Sequence, residues 1–272
     1  MDARLQRRVQ RYGWDKAADH YERYWTAQLA PARGAMLRAA ALAPGERVLD
    51  VACGTGLVTL DAALRVGPAG AVVGTDLSER MVVAAREQAM LRRLDSVHFE
   101  RMDAEALDLP DASFDVAVSA LGILYCPDPL QACRELFRVL RPGGRVSLAV
   151  WGERKRCGWA EVFPIVEARV ASEVCPLFFQ LGTGDTLALT LETAGFGSIR
   201  AERIGAVLEY SSPVDALGAA FAGGPVALAY SRFDEPTRDS AHAEYLASIE
   251  AHRDGEGYRI PGEFVVASGV RP

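Results

Sequence analysis

The chain has 272 residues, half of them hydrophobic and 24% charged, with a net charge of −6 and a pI near 5.4. That mixture excludes collagen-like, disordered and small disulfide-framework proteins, and the acidic balance argues against a nucleic-acid binder that tracks phosphates, leaving small molecules as the better partner class. No run approaches the roughly 18 apolar residues of a membrane span, and Met1 to Arg8 lack the apolar stretch of an export signal, so the expectation is a cytoplasmic protein. Five cysteines (Cys53, Cys126, Cys133, Cys157 and Cys175) without a C-x-x-C pair read as reduced thiols, with no metal site.

Residues 13–43 read as helical up to Pro44. Short apolar runs and helix-period segments then alternate about every 25 residues from 46 to 151, the rhythm of βαβ units on a parallel sheet. The expected strands are 47–51, 71–76, 97–99, 114–118 and 146–150. Between them lie a helix presenting Leu57, Leu60 and Leu64 on one face, a helix from Glu79 to about Leu94 capped by Ser78, and a helix from Pro129 to Leu140. In that last helix Cys133, Leu136, Phe137 and Leu140 form the inward stripe, with Arg134, Glu135 and Arg138 facing outward. Beyond 151, helices are expected at 158–172, 185–194 and 236–252, with strands at 198–204 and 264–267.

The expected architecture is a single α/β domain over 1–272, Rossmann-like and doubly wound. Its sheet is seven-stranded and mostly parallel. The core is 44–151, completed by 197–204 and 262–270, with helical cap segments at 1–43, 152–196 and 205–260.

Ligands of an open parallel sheet bind beyond the carboxyl ends of its strands. The first strand ends in Asp50-Val51-Ala52-Cys53-Gly54-Thr55-Gly56, where Gly54 and Gly56 allow close backbone approach and the next helix offers free N–H groups to an anion. Asp50, Asp76 and Asp103 follow three successive strands at spacings of 26 and 27 residues. Asp76 is placed to accept two ribose hydroxyls, and Asp103, one strand further out, an adenine amino group. Thr59 stands where a dinucleotide fingerprint needs its third glycine, and Asp50 would repel a pyrophosphate. A ligand carrying an ammonium and a single carboxylate fits better, and the methionine end of S-adenosylmethionine has that charge pattern.

The run Val48-Leu49-Asp50-Val51-Ala52-Cys53-Gly54-Thr55-Gly56 resembles motif I of class I S-adenosylmethionine-dependent methyltransferases, in particular the subgroup similar to ubiquinone and menaquinone biosynthesis methyltransferases. Val73-Gly74-Thr75-Asp76-Leu77-Ser78 matches the ribose motif, Asp103-Ala104-Glu105 the adenine motif, and Leu140-Arg141-Pro142-Gly143-Gly144 the segment before strand five. Trp14-Asp15-Lys16-Ala17-Ala18-Asp19-His20-Tyr21 is similar to the N-terminal segment that folds over the cofactor in that family. The resemblance covers residues 12–151. It implies cofactor contacts from Trp14 and Tyr21, from Ala52, Cys53 and Thr55 in the turn, from Leu77, Met81, Ala104 and Glu105, and from Ser119 and Leu121 after strand four. Ala52 replaces a glycine common in the family, and the expectation is one added methyl at ordinary backbone angles.

The implied reaction is methyl transfer to a small-molecule acceptor, with S-adenosylhomocysteine as product, driven by positioning and needing no strong base. Catalytic residues are unassigned. The candidates are His20, Tyr125 and Cys126, each against a plain structural role. The aromatic set Trp14, Trp25, Tyr125, Trp151, Trp159, Phe163, Phe178 and Phe179 reads either as the lining of an apolar or aromatic acceptor pocket or as helix-on-sheet packing. Arg4, Arg7, Arg8 and Arg11 read as a solvated basic face or an anionic-surface contact. The partners expected are the small-molecule acceptor alone, in a monomer or homodimer. A nicotinamide oxidoreductase and a non-catalytic binding protein are the competing classes, the first disfavoured by Thr59.

Overall fold

The computed structural model describes residues 2–170, 175 and 177–272. Five parallel strands form the first part of the sheet: β1 (Arg47–Val51), β2 (Ala71–Asp76), β3 (Val97–Arg101), β4 (Phe114–Ala120) and β5 (Leu140–Trp151). Beyond β5 the chain adds β6 (Gly197–Tyr210), a two-residue β7 (Arg253–Asp254) and β8 (Gly257–Val270). The order is β3-β2-β1-β4-β5-β8-β6, with β8 antiparallel to both neighbours and β7 paired on β8. The expected open, mostly parallel sheet is thus present, with β7 as an eighth strand. Central strands are buried on both faces, which is why they read as apolar runs rather than as alternation.

The expected helix over 13–43 is two helices, α1 (Ala3–Trp25) and α2 (Ala30–Ala40). Asp2 caps α1 through a hydrogen bond from the Arg4 amide, so the helix starts a full ten residues before the reading from periodicity. Pro31, which lacks an N–H, sits in the first turn of α2 and allows the chain to restart there. α2 packs on β5 and β8, where the Ser147 hydroxyl donates to the Met36 carbonyl at 2.9 Å.

Helices α3 (Leu57–Val66), α4 (Glu79–Leu91) and α5 (Pro129–Val139) make the crossovers. Ser78 caps α4 as expected, accepting from the Met81 amide. On α3 the inward stripe is Val58, Thr59, Leu60, Ala62, Ala63 and Val66, while Leu64 is 68% exposed. Small side chains let this helix approach the sheet closely, and the leucine period marked the wrong edge of that face. On α5, Arg138 does not face outward freely: it binds the Leu107 and Leu109 carbonyls and Asp111, and Glu135 accepts from the Leu107 amide. The pair clamps the loop before β4.

Of the expected helix at 158–172, α6 (Val162–Glu167) is present and residues 171–172 lie outside the described residues. α7 (Thr186–Thr193) precedes β6; α8 (Pro213–Leu217), α9 (Ala227–Tyr230) and α10 (Glu235–Ser248) lie between β6 and β7. β6 and β8 are each 14 residues long, so their ends extend into stretches read as cap. Among the described residues no helix is long and apolar enough to cross a membrane.

Candidate cofactor and acceptor site

β1 stops at Val51 and the chain turns at once through left-handed conformations at Ala52 (φ 55°), Gly54 (φ 55°) and Gly56 (φ 87°), the last being the N-cap of α3. The expectation of ordinary angles at Ala52 is therefore corrected: its methyl group sits in a region that costs an alanine about 1 kcal/mol. Leu121, just past β4, is also left-handed (φ 61°). Gly122 follows it, and an added Cβ there would stand 2.2 Å from that of Ala52. The second turn thus leaves room for the methyl group of the first.

Asp76, at the tip of β2, is 8% exposed. One carboxylate oxygen accepts from the Ser78 amide at 2.8 Å and the other from the Gly54 amide at 2.9 Å, so this residue ties the turn to the start of α4 and keeps a further lone pair on each oxygen. Burial lifts its pKa to about 6 against the opposing pull of the backbone donors. Asp50 lies behind the wall of the site. The Thr59 hydroxyl donates to one of its oxygens at 2.6 Å, and the other oxygen is buried without a partner. Burial raises its pKa to about 7, with neighbouring Asp76 adding to the shift. Thr59, which the sequence marked only as a missing glycine, is the orienter of this carboxylate.

These shifts fix a pH dependence. A carboxyl whose folded pKa is raised from 3.8 to about 7 stabilises the ligand-free fold fully below pH 4 and loses that contribution as pH rises through 7. Asp50→Asn should remove a loss on the order of 2 kcal/mol between pH 5 and 7.5. Urea unfolding of both proteins across that range checks it; equal slopes would show that Asp50 ionises normally.

The cleft beside this turn offers about 730 Å³ of empty space, part of it open to solvent. Trp14, Tyr21, Ala52, Gly54, Asp76 and Leu77 line it, as do Met81, Asp103, Ala104, Leu121, Tyr125 and Cys126. The other residues singled out from sequence are not in its wall. Cys53, Thr55 and Ser119 are buried around the turn, the Thr55 and Ser119 hydroxyls without partners. Gly56 stands beneath the turn against Phe99 and Ala85. Glu105 is buried, accepting from the Asp128 amide at the start of α5 and from Arg7. His20 is exposed, its ring 6.5 Å from that of Tyr24.

Arg7, Gln10, Met102, Gly122 and Pro127 also line the cleft and were missed. Arg7 corrects the reading of the N-terminus as a solvated face: its Nε lies 2.9 Å from an Asp103 oxygen and it also holds Glu105, so α1 is clamped to the loop after β3. Lower on α1, Asp15 accepts from the Ser78 hydroxyl at 2.6 Å, and Arg80 pairs with Asp19. Arg7, Trp14 and Tyr21 recur every seven residues on α1, a helical spacing visible in the sequence that puts all three on one face.

A smaller annex of about 310 Å³ shares Trp14, Tyr21, Leu121 and Tyr125 with the cleft and continues between Trp25, Trp151, Trp159 and Phe178. The aromatic set thus does both things the sequence allowed: six of its eight members line the cleft or the annex, while Phe163 and Phe179 stack behind Phe178 and Trp159. Burial raises the Tyr21 and Tyr125 phenols and the Cys126 thiol well above their ordinary values, Glu105 and Asp103 adding to the effect on Cys126. Burial thus disfavours the anionic form of all three.

Comparison with known proteins bears on the family and the fold. Residues 48–144 match the family model described as a methyltransferase domain. A demethylmenaquinone methyltransferase of Listeria welshimeri is 38% identical over 119 residues, 44% of this chain and 50% of that protein, so the chain spans about half the length of the curated relatives it matches. Among solved structures, a putative methyltransferase of Bacillus halodurans has a TM-score of 0.61 at 21% identity, covering 89% of this chain and 99% of that one. A Haemonchus contortus phosphoethanolamine N-methyltransferase 2, bound to phosphomonomethylethanolamine and S-adenosylhomocysteine, has a TM-score of 0.62 at 18% identity, covering 95% and 57%. At these identities the two structures speak for the fold.

Proposed function

We propose that this chain, which carries a class I methyltransferase domain with its family-matched segment at 48–144, moves a methyl group from S-adenosylmethionine to a small apolar acceptor entering through the aromatic annex. The observation that carries the reading is the buried acceptor set at the strand ends: Asp76 with spare lone pairs in the cleft wall, and Asp50 behind it with an unpartnered oxygen. A nucleoside bearing an amino acid offers two ribose hydroxyls to Asp76 and an ammonium to the acidic surroundings that Asp50 adds behind the wall, whereas the pyrophosphate of a dinucleotide would bring negative charge to the same place. Asp76 would hold the ribose, the Ala52–Gly56 turn and the α3 N-terminus the methionine carboxylate, and Ala104 and Met81 the adenine surroundings. Asp103 is already paired with Arg7, so a contact from adenine would share that carboxylate rather than find it free.

When bound, the cofactor supplies an activated methyl on a good leaving group. What remains for the chain is to orient the acceptor and exclude water. α1 covers the cleft with Trp14 and Tyr21, and the rings of the annex wall it off. The protonated phenols and thiol at the mouth support a mechanism in which the acceptor arrives with its own nucleophile. An acceptor of the quinone kind named in the Listeria relative is compatible with the annex. Calorimetry with S-adenosylhomocysteine against NAD, followed by detection of S-adenosylhomocysteine on incubation with S-adenosylmethionine and reduced naphthoquinones, tests the proposal. Absence of binding at millimolar concentration would overturn it.

A further inference from the structure

Trp159 is 96% buried, with its ring centroid 4.7 Å from that of Trp151 and 5.5 Å from that of Phe178 in an edge-on contact. Its indole N–H has no partner. The indole nitrogen is a donor only, and a buried donor is costly to leave without a partner. Trp25, on the same annex, spends its N–H on the Gly223 carbonyl at 3.0 Å, so the fold satisfies one of these donors and leaves the other open. No charged side chain lines the annex among the described residues. A phosphate or an ammonium entering it would lose its hydration without a counter-charge, whereas a flat uncharged ring system would exchange water for ring faces.

From these observations we infer that Trp159 reads the acceptor: its N–H donates to an oxygen on a planar, uncharged molecule seated in the annex. This rests on the methyl-transfer reading of the adjoining cleft. The oxygen is anchored at Trp159, and the reacting edge of the ring faces the shared wall at Leu121 and Tyr125. The residue is thus a determinant of specificity, rejecting flat molecules that lack an acceptor atom at that point.

The test uses the full-length protein saturated with S-adenosylhomocysteine, with 1-naphthol, naphthalene and 1-naphthyl phosphate as probes. Wild type should bind 1-naphthol about tenfold more tightly than naphthalene, one net hydrogen bond in a dry site. The phosphate ester should not compete. Trp159→Phe, which keeps a ring and removes the N–H, should bring 1-naphthol and naphthalene to within about twofold of each other and leave the affinity for S-adenosylhomocysteine unchanged. A naphthol preference that survives the substitution, equal loss of both probes, or tight binding of the phosphate ester would overturn the inference. Failure of wild type to bind S-adenosylhomocysteine would instead bring down the cofactor reading, and the two failures are separated because each ligand is titrated on its own.

Discussion

Replacing Gly122 by alanine should cost about 3 kcal/mol of stability and abolish measurable binding of S-adenosylhomocysteine, and adding Ala52→Gly in the same chain should recover most of both. The new Cβ would stand 2.2 Å from the Ala52 Cβ, far inside contact distance, and neither residue can swing away because each belongs to a turn leaving a central strand. Relief would have to come from pushing the two turns apart, and those turns are two walls of the cleft. Removing the Ala52 methyl eliminates the collision. The Ala52 carbonyl and the Ser119 hydroxyl, each 3.2 Å from the added atom, keep the recovery short of complete. Thermal unfolding and calorimetry on the two single variants and the double one decide the matter. Normal binding by Gly122→Ala, or no recovery in the double variant, would mean that the turns do not meet as described.

The second large effect belongs to Asp76. Asp76→Ala removes the acceptor for two backbone amides, Gly54 and Ser78, and should lower stability by roughly 3–5 kcal/mol at neutral pH. It should also weaken S-adenosylhomocysteine about 100-fold, since the ribose hydroxyls lose their partner while the turn loses its anchor. A fragment experiment separates the two contributions. Adenosine, which contains the ribose, should lose affinity in Asp76→Asn, a variant that keeps the size of the side chain. Methionine should lose little. Unchanged adenosine affinity would remove Asp76 from the ribose role and leave it a purely structural tie.

The parallel half of the sheet was readable because its strands are buried on both faces and are cut by glycine, proline and capping signals every few residues. Ser78 and the Pro129 helix start are examples. The ends of the long β6 and β8 were not readable, since β6 is an edge strand with most of its side chains exposed and lacks the two-sided burial that marks the central strands. The turn after β1 was legible as glycines and acids. Its strain was not, because alanine in a left-handed conformation is the opposite of what alanine favours and depends on Gly122, seventy residues away. Arg7 was hidden for a related reason: an arginine near an end of the chain looks like a solvated charge until the helix carrying it is seen to lie against Asp103.

The long antiparallel ribbon of β6 and β8 bears on how such a protein changes its ligand over evolutionary time. The chain departs from the sheet after Tyr210 and re-enters through β7 at Arg253, which hairpins into β8, and Tyr210 is paired with Tyr258 across the ribbon. Everything between those points, α8 to α10 included, is a detour whose two stems already stand side by side. Such an excursion can be shortened, lengthened or transplanted from a sister protein while every pairing beneath it stays in register. Gly224 and Pro225, which touch the annex, sit on that detour, so a change of its length would reshape the annex while leaving the strand tips that carry Asp50 and Asp76 in place.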